Sequence, residues 1–155
     1  MKKIITLSLI MVIALVMTGC GKMVHVEGKL EDLMTKVYEG ISEDQLPMML
    51  QNMELDEENK TSFIGEANIK YKEALASESG IGSIAHSVVL IRMEEGTSQD
   101  EINKAMQELK DKVNPRKWLC VGAEEVQVSS NGDLIIVVLS DDHGDTLINN
   151  FNNLK

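Results

Sequence analysis

Val88-Val89-Leu90-Ile91 constrains the fold of this chain more than any other stretch. Four consecutive β-prone apolar residues leave no polar face for water, so the strand they predict must be covered on both sides. That strand is expected from Ile84 to Met93, with Glu94-Glu95-Gly96 turning the chain after it. Leu134 to Leu139 is almost entirely Ile, Val and Leu and predicts a second buried strand. Its partner is expected over Leu119 to Val128, where Val126 and Val128 alternate with Glu125 and Gln127. Asn131-Gly132 supplies the hairpin turn between them, because both residues tolerate the positive φ of a type I′ turn. A further strand is expected at Thr61 to Ile64, entering Gly65, and another from Ile69 to Glu78.

Helical periodicity fills the spaces between. Leu30, Leu33, Met34, Val37, Tyr38 and Ile41 form one apolar stripe, and Gly40 stands where that helix would stop. Ser42-Glu43-Asp44-Gln45 reads as a capping box for a short second helix, with Leu46, Met48, Met49, Leu50 and Met53 on its apolar side. Leu55 to Thr61 is acidic and predicts a turn of helix. Ser98 and Glu101 form another capping box, opening a long helix through Ile102, Ala105, Met106, Leu109 and Val113 that Asn114-Pro115 ends. Asp142 is the expected N-cap of a C-terminal helix carrying Leu147, Ile148, Phe151 and Leu154. The sum is an α+β domain, an antiparallel sheet of about four strands with amphipathic helices packed on it.

The N-terminus reads as an address rather than as part of that domain. Lys2 and Lys3 precede an apolar run from Ile4 to Val16, closed by Met17-Thr18-Gly19-Cys20. A basic start, a short apolar core and small residues before a cleavage point describe a signal peptide. The closing tetrapeptide is similar to a bacterial lipobox, with Met17 where leucine is more usual. Residues 1–19 are therefore expected to be cleaved, leaving Cys20 as the diacylglyceryl attachment point, 20–29 as anchor and tether, and 30–155 as one domain. Two fatty chains are what stable membrane attachment requires. Loss of Lys2 and Lys3 takes the formal charge from −10 to −12. So acidic a domain is repelled by nucleic acid and by anionic headgroups, which leaves the lipid to hold it.

The domain's segments also resemble a family of small Gram-positive bacterial lipoproteins named only as a domain of unknown function. The resemblance rests on Asp32-Leu33-Met34 through Tyr38-Glu39-Gly40-Ile41, Leu46-Pro47-Met48, Phe63-Ile64-Gly65 and Glu73-Ala74-Leu75-Ala76-Ser77-Glu78. It continues through Ile84-Ala85-His86-Ser87-Val88-Val89-Leu90, Pro115-Arg116-Lys117-Trp118-Leu119-Cys120-Val121 and Gly132-Asp133. It implies a secreted, membrane-anchored single domain and carries no activity, substrate or catalytic residue to transfer.

Candidate chemistry is sparse. Gly80-Ile81-Gly82-Ser83-Ile84-Ala85 fits a GxGxxA loop but precedes a strand, whereas a dinucleotide loop follows one and opens a helix. Met48, Met49 and Met53 offer soft thioethers suited to Cu(I), though methionines on an amphipathic helix usually fill a core or form a greasy contact surface. Asp141-Asp142-His143-Gly144-Asp145 gathers oxygen donors and an imidazole, but lacks the ligand spacing of a calcium loop. Helix capping by Asp142 and the helix dipole near Asp145 account for most of it. His86 would need a nucleophile or carboxylate within reach to act as a base. His25 lies in the tether and is expected to be solvated. Cys120, within Trp118-Leu119-Cys120-Val121, is expected to be a small buried hydrophobe, and Trp118 to anchor the helix-to-strand junction.

These features favour a lipid-anchored lipoprotein on the extracytoplasmic face of the cell membrane. It is expected to be non-enzymatic, without cofactor or metal, and to bind an envelope protein or small ligand. The runner-up is a metal-handling lipoprotein using Asp141–Asp145 or the methionines. Third is an extracytoplasmic hydrolase centred on His86.

Overall fold

The computed structural model describes residues 23–155. The expected signal peptide and Cys20 lie outside the described residues. Five strands and four helices follow in chain order: α1 (Leu30–Val37), β1 (Leu50–Glu54), α2 (Lys60–Ile64), β2 (Tyr71–Ser79), β3 (His86–Met93), α3 (Gln99–Lys112), β4 (Gln127–Asn131), β5 (Leu134–Ser140) and α4 (Gly144–Asn152). The strands form one sheet in the order β1-β2-β3-β5-β4, with every neighbouring pair antiparallel. The fold is α+β, and the sheet has five strands where about four are expected, because β1 is a strand that the sequence pattern does not mark. Among the described residues no helix is long and apolar enough to cross a membrane.

Every residue of β3 and β5 is buried, which is what their unbroken apolar runs require. One face of the sheet presents Ala74, Ala76, Val89, Ile91, Ile135, Val137 and Leu139 to Ile102, Ala105 and Leu109 of α3 and to Phe63 and Ile64 of α2. The other presents Leu75, Val88, Leu90, Leu134, Ile136 and Val138 to α1 and α4, through Leu33, Met34, Val37, Leu147 and Phe151. The two-sided burial makes a helix–sheet–helix sandwich. Ser98 and Glu101 close the expected capping box on α3, each side chain bonding the other's backbone N–H.

Five local expectations are corrected. The Ser42 segment makes only a turn, because Pro47, at the fifth position after Ser42, has no N–H to give the Glu43 carbonyl. Met49 then takes φ +55, and the chain enters β1 instead of a helix. Thr61 to Ile64 is helical rather than extended. Asp56 Oδ1 accepts the N–H groups of Glu58 and Asn59, starting the turn that becomes α2, and Phe63 and Ile64 pack into the core. Leu119 to Val126 is irregular, so β4 begins only at Gln127. Ala123 N–H donates to the Pro115 carbonyl at 2.8 Å and Glu124 N–H to Asp141 Oδ1 at 2.8 Å, folding that stretch back on itself. The hairpin turn is Gly132-Asp133, with Asn131 paired to Leu134. Only Gly132 has positive φ there, so the turn is not type I′. Finally, His143 occupies the N-cap of α4 and Asp142 does not cap it.

Candidate functional site

The sheet has two ends with different chemistry. At one lie Glu54, Tyr71, Met93, Asn131 and Leu134; at the other lie Leu50, Ser79, His86, Gln127 and Ser140.

The first end carries a charged clamp that sequence reasoning missed. Arg92 is the one charged residue in the apolar run of β3, and its guanidinium is almost wholly buried. It donates from Nε to Glu73 Oε1 at 2.9 Å and from Nη1 to Asp133 Oδ2 at 3.0 Å. Nη1 also reaches the Val26 carbonyl at 2.9 Å, and Nη2 reaches the Gly28 carbonyl at 2.8 Å. Asp133, from the β4–β5 turn, accepts from Val26 N–H at 3.0 Å and from His25 Nδ1 at 2.6 Å. Its own N–H donates to the Val24 carbonyl at 3.0 Å. Burial pushes the Asp133 carboxyl up, but bonds from Val26, His25 and Arg92 outweigh this and hold it below the usual carboxylate range. A Cβ on Gly132 would strike the Val24 carbonyl, so glycine is needed here for space as well as for φ. Residues 24 to 28 of the expected tether are thus bonded to the sheet, Val26 is in the core, and His25 is a hydrogen-bond partner of Asp133. The readable signal was a lone arginine at a core-facing position of a strand.

At the opposite end His86 is buried at the start of β3. Its Nε2 lies 2.7 Å from Tyr38 Oη and its Nδ1 lies 3.1 Å from Ser140 Oγ. A neutral imidazole has one donor and one acceptor nitrogen, so the ring donates to one hydroxyl and accepts from the other. Burial pushes its pKa down to about 4, with His143 nearby adding to the effect. Burial also raises the Tyr38 phenol above its ordinary range. The structure therefore gives His86 the hydroxyl partner that a hydrolase would need. Yet a base this weak takes few protons near neutral pH. The groove beside Ser140, about 240 Å³, is lined by Glu124, Glu125, Asp141, Asp142 and Asp145, carboxylates that oppose a developing oxyanion. The arrangement works as a buried polar strut between α1, β3 and β5.

The other sequence candidates separate. Asp141 Oδ1 is engaged by Glu124 N–H, and His143 Nε2 bonds the Gln45 carbonyl at 3.0 Å. Among the described residues no three His, Cys, Asp or Glu side chains come together as a metal site. Met48, Met49 and Met53 stand exposed around β1, not on a helix. Cys120 is exposed, contrary to expectation, and so is its neighbour Leu119, 97% accessible, because this stretch leaves the sheet. Trp118 and Lys117 instead turn inward. Lys117 Nζ pairs with Glu78, lies 3.3 Å from Ser87 Oγ and sits 4.4 Å from the centre of the Phe63 ring. Trp118 Nε1 donates to the same Glu78 at 3.2 Å. Burial lowers the Lys117 pKa against the pull of Glu78. This latch pins the 113–126 segment over the sheet face shared with α3.

No protein-family model, curated protein or solved structure matches this chain.

Proposed function

We propose that this protein is a lipid-anchored lipoprotein of the extracytoplasmic membrane face, and that it works by binding a protein or small ligand rather than by catalysis. The observation that carries this reading is the clamp. Residues 24 to 28, just after the expected acylated Cys20, are bonded by Arg92 and Asp133 to one end of the sheet. Between Cys20 and Val24 the chain can span at most about 13 Å, at about 3.3 Å per residue. An anchor this short, tied to a rigid element, would hold that end of the domain against the headgroups. The opposite end would then face away from the bilayer and meet partners. The weak base at His86 and the carboxylate-lined groove beside it favour binding over hydrolysis.

Fractionation of cells producing Cys20→Ala tests the reading. The variant should fold and appear in the soluble or secreted fraction, while the unaltered protein stays with the membrane. Membrane retention of the variant would overturn it.

A further inference from the structure

We propose that the free edge of β1 is a docking strand that captures an extended, cationic segment of a partner protein. The proposal deepens the binding reading above and does not depend on the lipid anchor. β1 pairs only with β2 among the described residues. Gly80 N–H donates to the Met49 carbonyl, and Leu55 N–H to the Ala74 carbonyl, both at 3.0 Å. In an antiparallel ladder the residues of that parity turn their backbone toward β2, and the alternate ones turn theirs outward. Leu50, Asn52 and Glu54 therefore point their N–H and C=O groups at the open edge. The Glu54 carbonyl is taken by Asn59 Nδ2 at 2.9 Å, which closes the edge at that end. What remains is a window about five residues long.

Proteins normally blunt such an edge with lysine, proline or a bulge. Leu50-Gln51-Asn52-Met53-Glu54 carries none of these, and the irregularity in β2 falls at Tyr71/Glu73, beyond this pairing. Gln51 to Glu54 are exposed on both faces of the sheet. Met48, Met49 and Met53 are 67%, 62% and 39% accessible. Exposed methionines give an apolar surface that adapts to different side chains. Met49 is also the one non-glycine residue with positive φ among those described, and backbone strain of this kind gathers at functional sites.

Charge selects the occupant. Glu54 lies in the strand, Asp56, Glu57 and Glu58 follow it directly and Glu43 and Asp44 precede it in the chain, all of them exposed. The single cation between Ser42 and Lys60 is Lys60, already paired with Glu57 at 2.8 Å. A second copy of the chain would bring the same carboxylates and be repelled. A strand flanked by lysine or arginine would gain backbone bonds from the edge and attraction from both flanks.

The test uses the full chain purified in detergent and a fluorescein-labelled peptide, KKVTITVKK, read by anisotropy, with EEVTITVEE as its twin. The lysine peptide should bind saturably and weaken as salt rises from about 50 to about 300 mM, while the glutamate twin does not bind. Asn52→Pro removes an outward N–H without touching the ladder to β2, and should weaken binding at least about fivefold with an unchanged melting curve. The double variant Glu57→Lys with Glu58→Lys should weaken it and flatten the salt dependence. Equal binding of both peptides, absence of saturable binding, or indifference to Asn52→Pro would each overturn the proposal. Membrane attachment, read separately with Cys20→Ala, is untouched by these outcomes.

Discussion

Replacing Arg92 by methionine keeps most of the side-chain volume while deleting the four hydrogen bonds that its guanidinium donates to Glu73, Asp133, Val26 and Gly28. Two of its acceptors are carboxylates. Glu73 is 48% exposed, so water would replace the lost bond, and that pair contributes at most about 1 kcal/mol. Asp133 is only 16% exposed and would keep His25 and Val26 N–H but lose its permanent cation. Removing one partner of a buried charge pair typically costs about 3 to 5 kcal/mol, because the remaining charge is left uncompensated. The Val26 and Gly28 carbonyls lose a charged donor as well, but both can turn to water if the segment lifts away. The expected loss is therefore about 3 to 4 kcal/mol, less if the segment lifts, since lifting trades the clamp for solvation. Urea unfolding at neutral pH gives the total. Hydrogen exchange distinguishes the routes: the Val26 amide should lose protection in the variant while the amides of β3 and β5 keep theirs until global unfolding. Arg92→Lys should fall between the two, since an ammonium cannot serve all four acceptors in the fork geometry. A loss below about 1 kcal/mol would put the clamp in the range of a surface pair and refute the argument. So would unchanged protection at Val26.

Three further outcomes follow from other parts of the structure. His86 has a folded pKa of about 4, below its unfolded value near 6.5, so its contribution is complete above that value and is lost as pH falls towards 4; urea unfolding at pH 7.5 and 4.5 should show about 2 to 3 kcal/mol of acid sensitivity that His86→Leu lacks. Lys117→Met leaves Glu78 short of its cation and should cost about 2 to 4 kcal/mol. Trp118 is the single tryptophan, so release of the 113–126 latch should red-shift intrinsic emission in the folded variant; an unshifted spectrum would count against the latch. The exposed Cys120 should react with a thiol reagent in the native protein without prior unfolding. If Cys20 is acylated as proposed, membrane-bound protein should show one reactive thiol per chain and the unacylated precursor two.

The parts of the fold legible in the sequence are those where burial dictates side chains. β3 and β5 are read from their apolar runs, α1 and α3 from stripes with a stop or a capping box, and β2 from weaker alternation. The misread segments share a different property. Thr61 to Ile64 has β-prone residues, but an Asx turn at Asp56 and the docking of Phe63 and Ile64 decide its shape. Leu119-Cys120-Val121 looks like core in sequence, yet the Pro115–Ala123 backbone bond and the Lys117–Glu78 pair hold that stretch off the sheet. In the first case a local side-chain turn together with core docking, and in the second a pair 39 residues apart, overrides the β propensity of the segment. The clamp was hidden because His25, Arg92 and Asp133 are 108 residues apart at their extremes and converge only when the sheet forms.

β1 was invisible for a reason that also bears on its use. A strand is readable when one or both faces are buried, since burial imposes alternation or a continuous apolar run. Leu50-Gln51-Asn52-Met53-Glu54 has neither, because neither face is covered; it is held by main-chain bonds to β2, which ask nothing of its side chains. Those side chains and the outward backbone are thus free of any duty to the core. A chain that invests buried arginine, aspartate and a tight glycine turn in fixing one end of its sheet leaves this strand open along the side. The exposed Met48, Met49, Met53 and Glu54 then have no structural account, and a cationic strand laid along the edge would supply one.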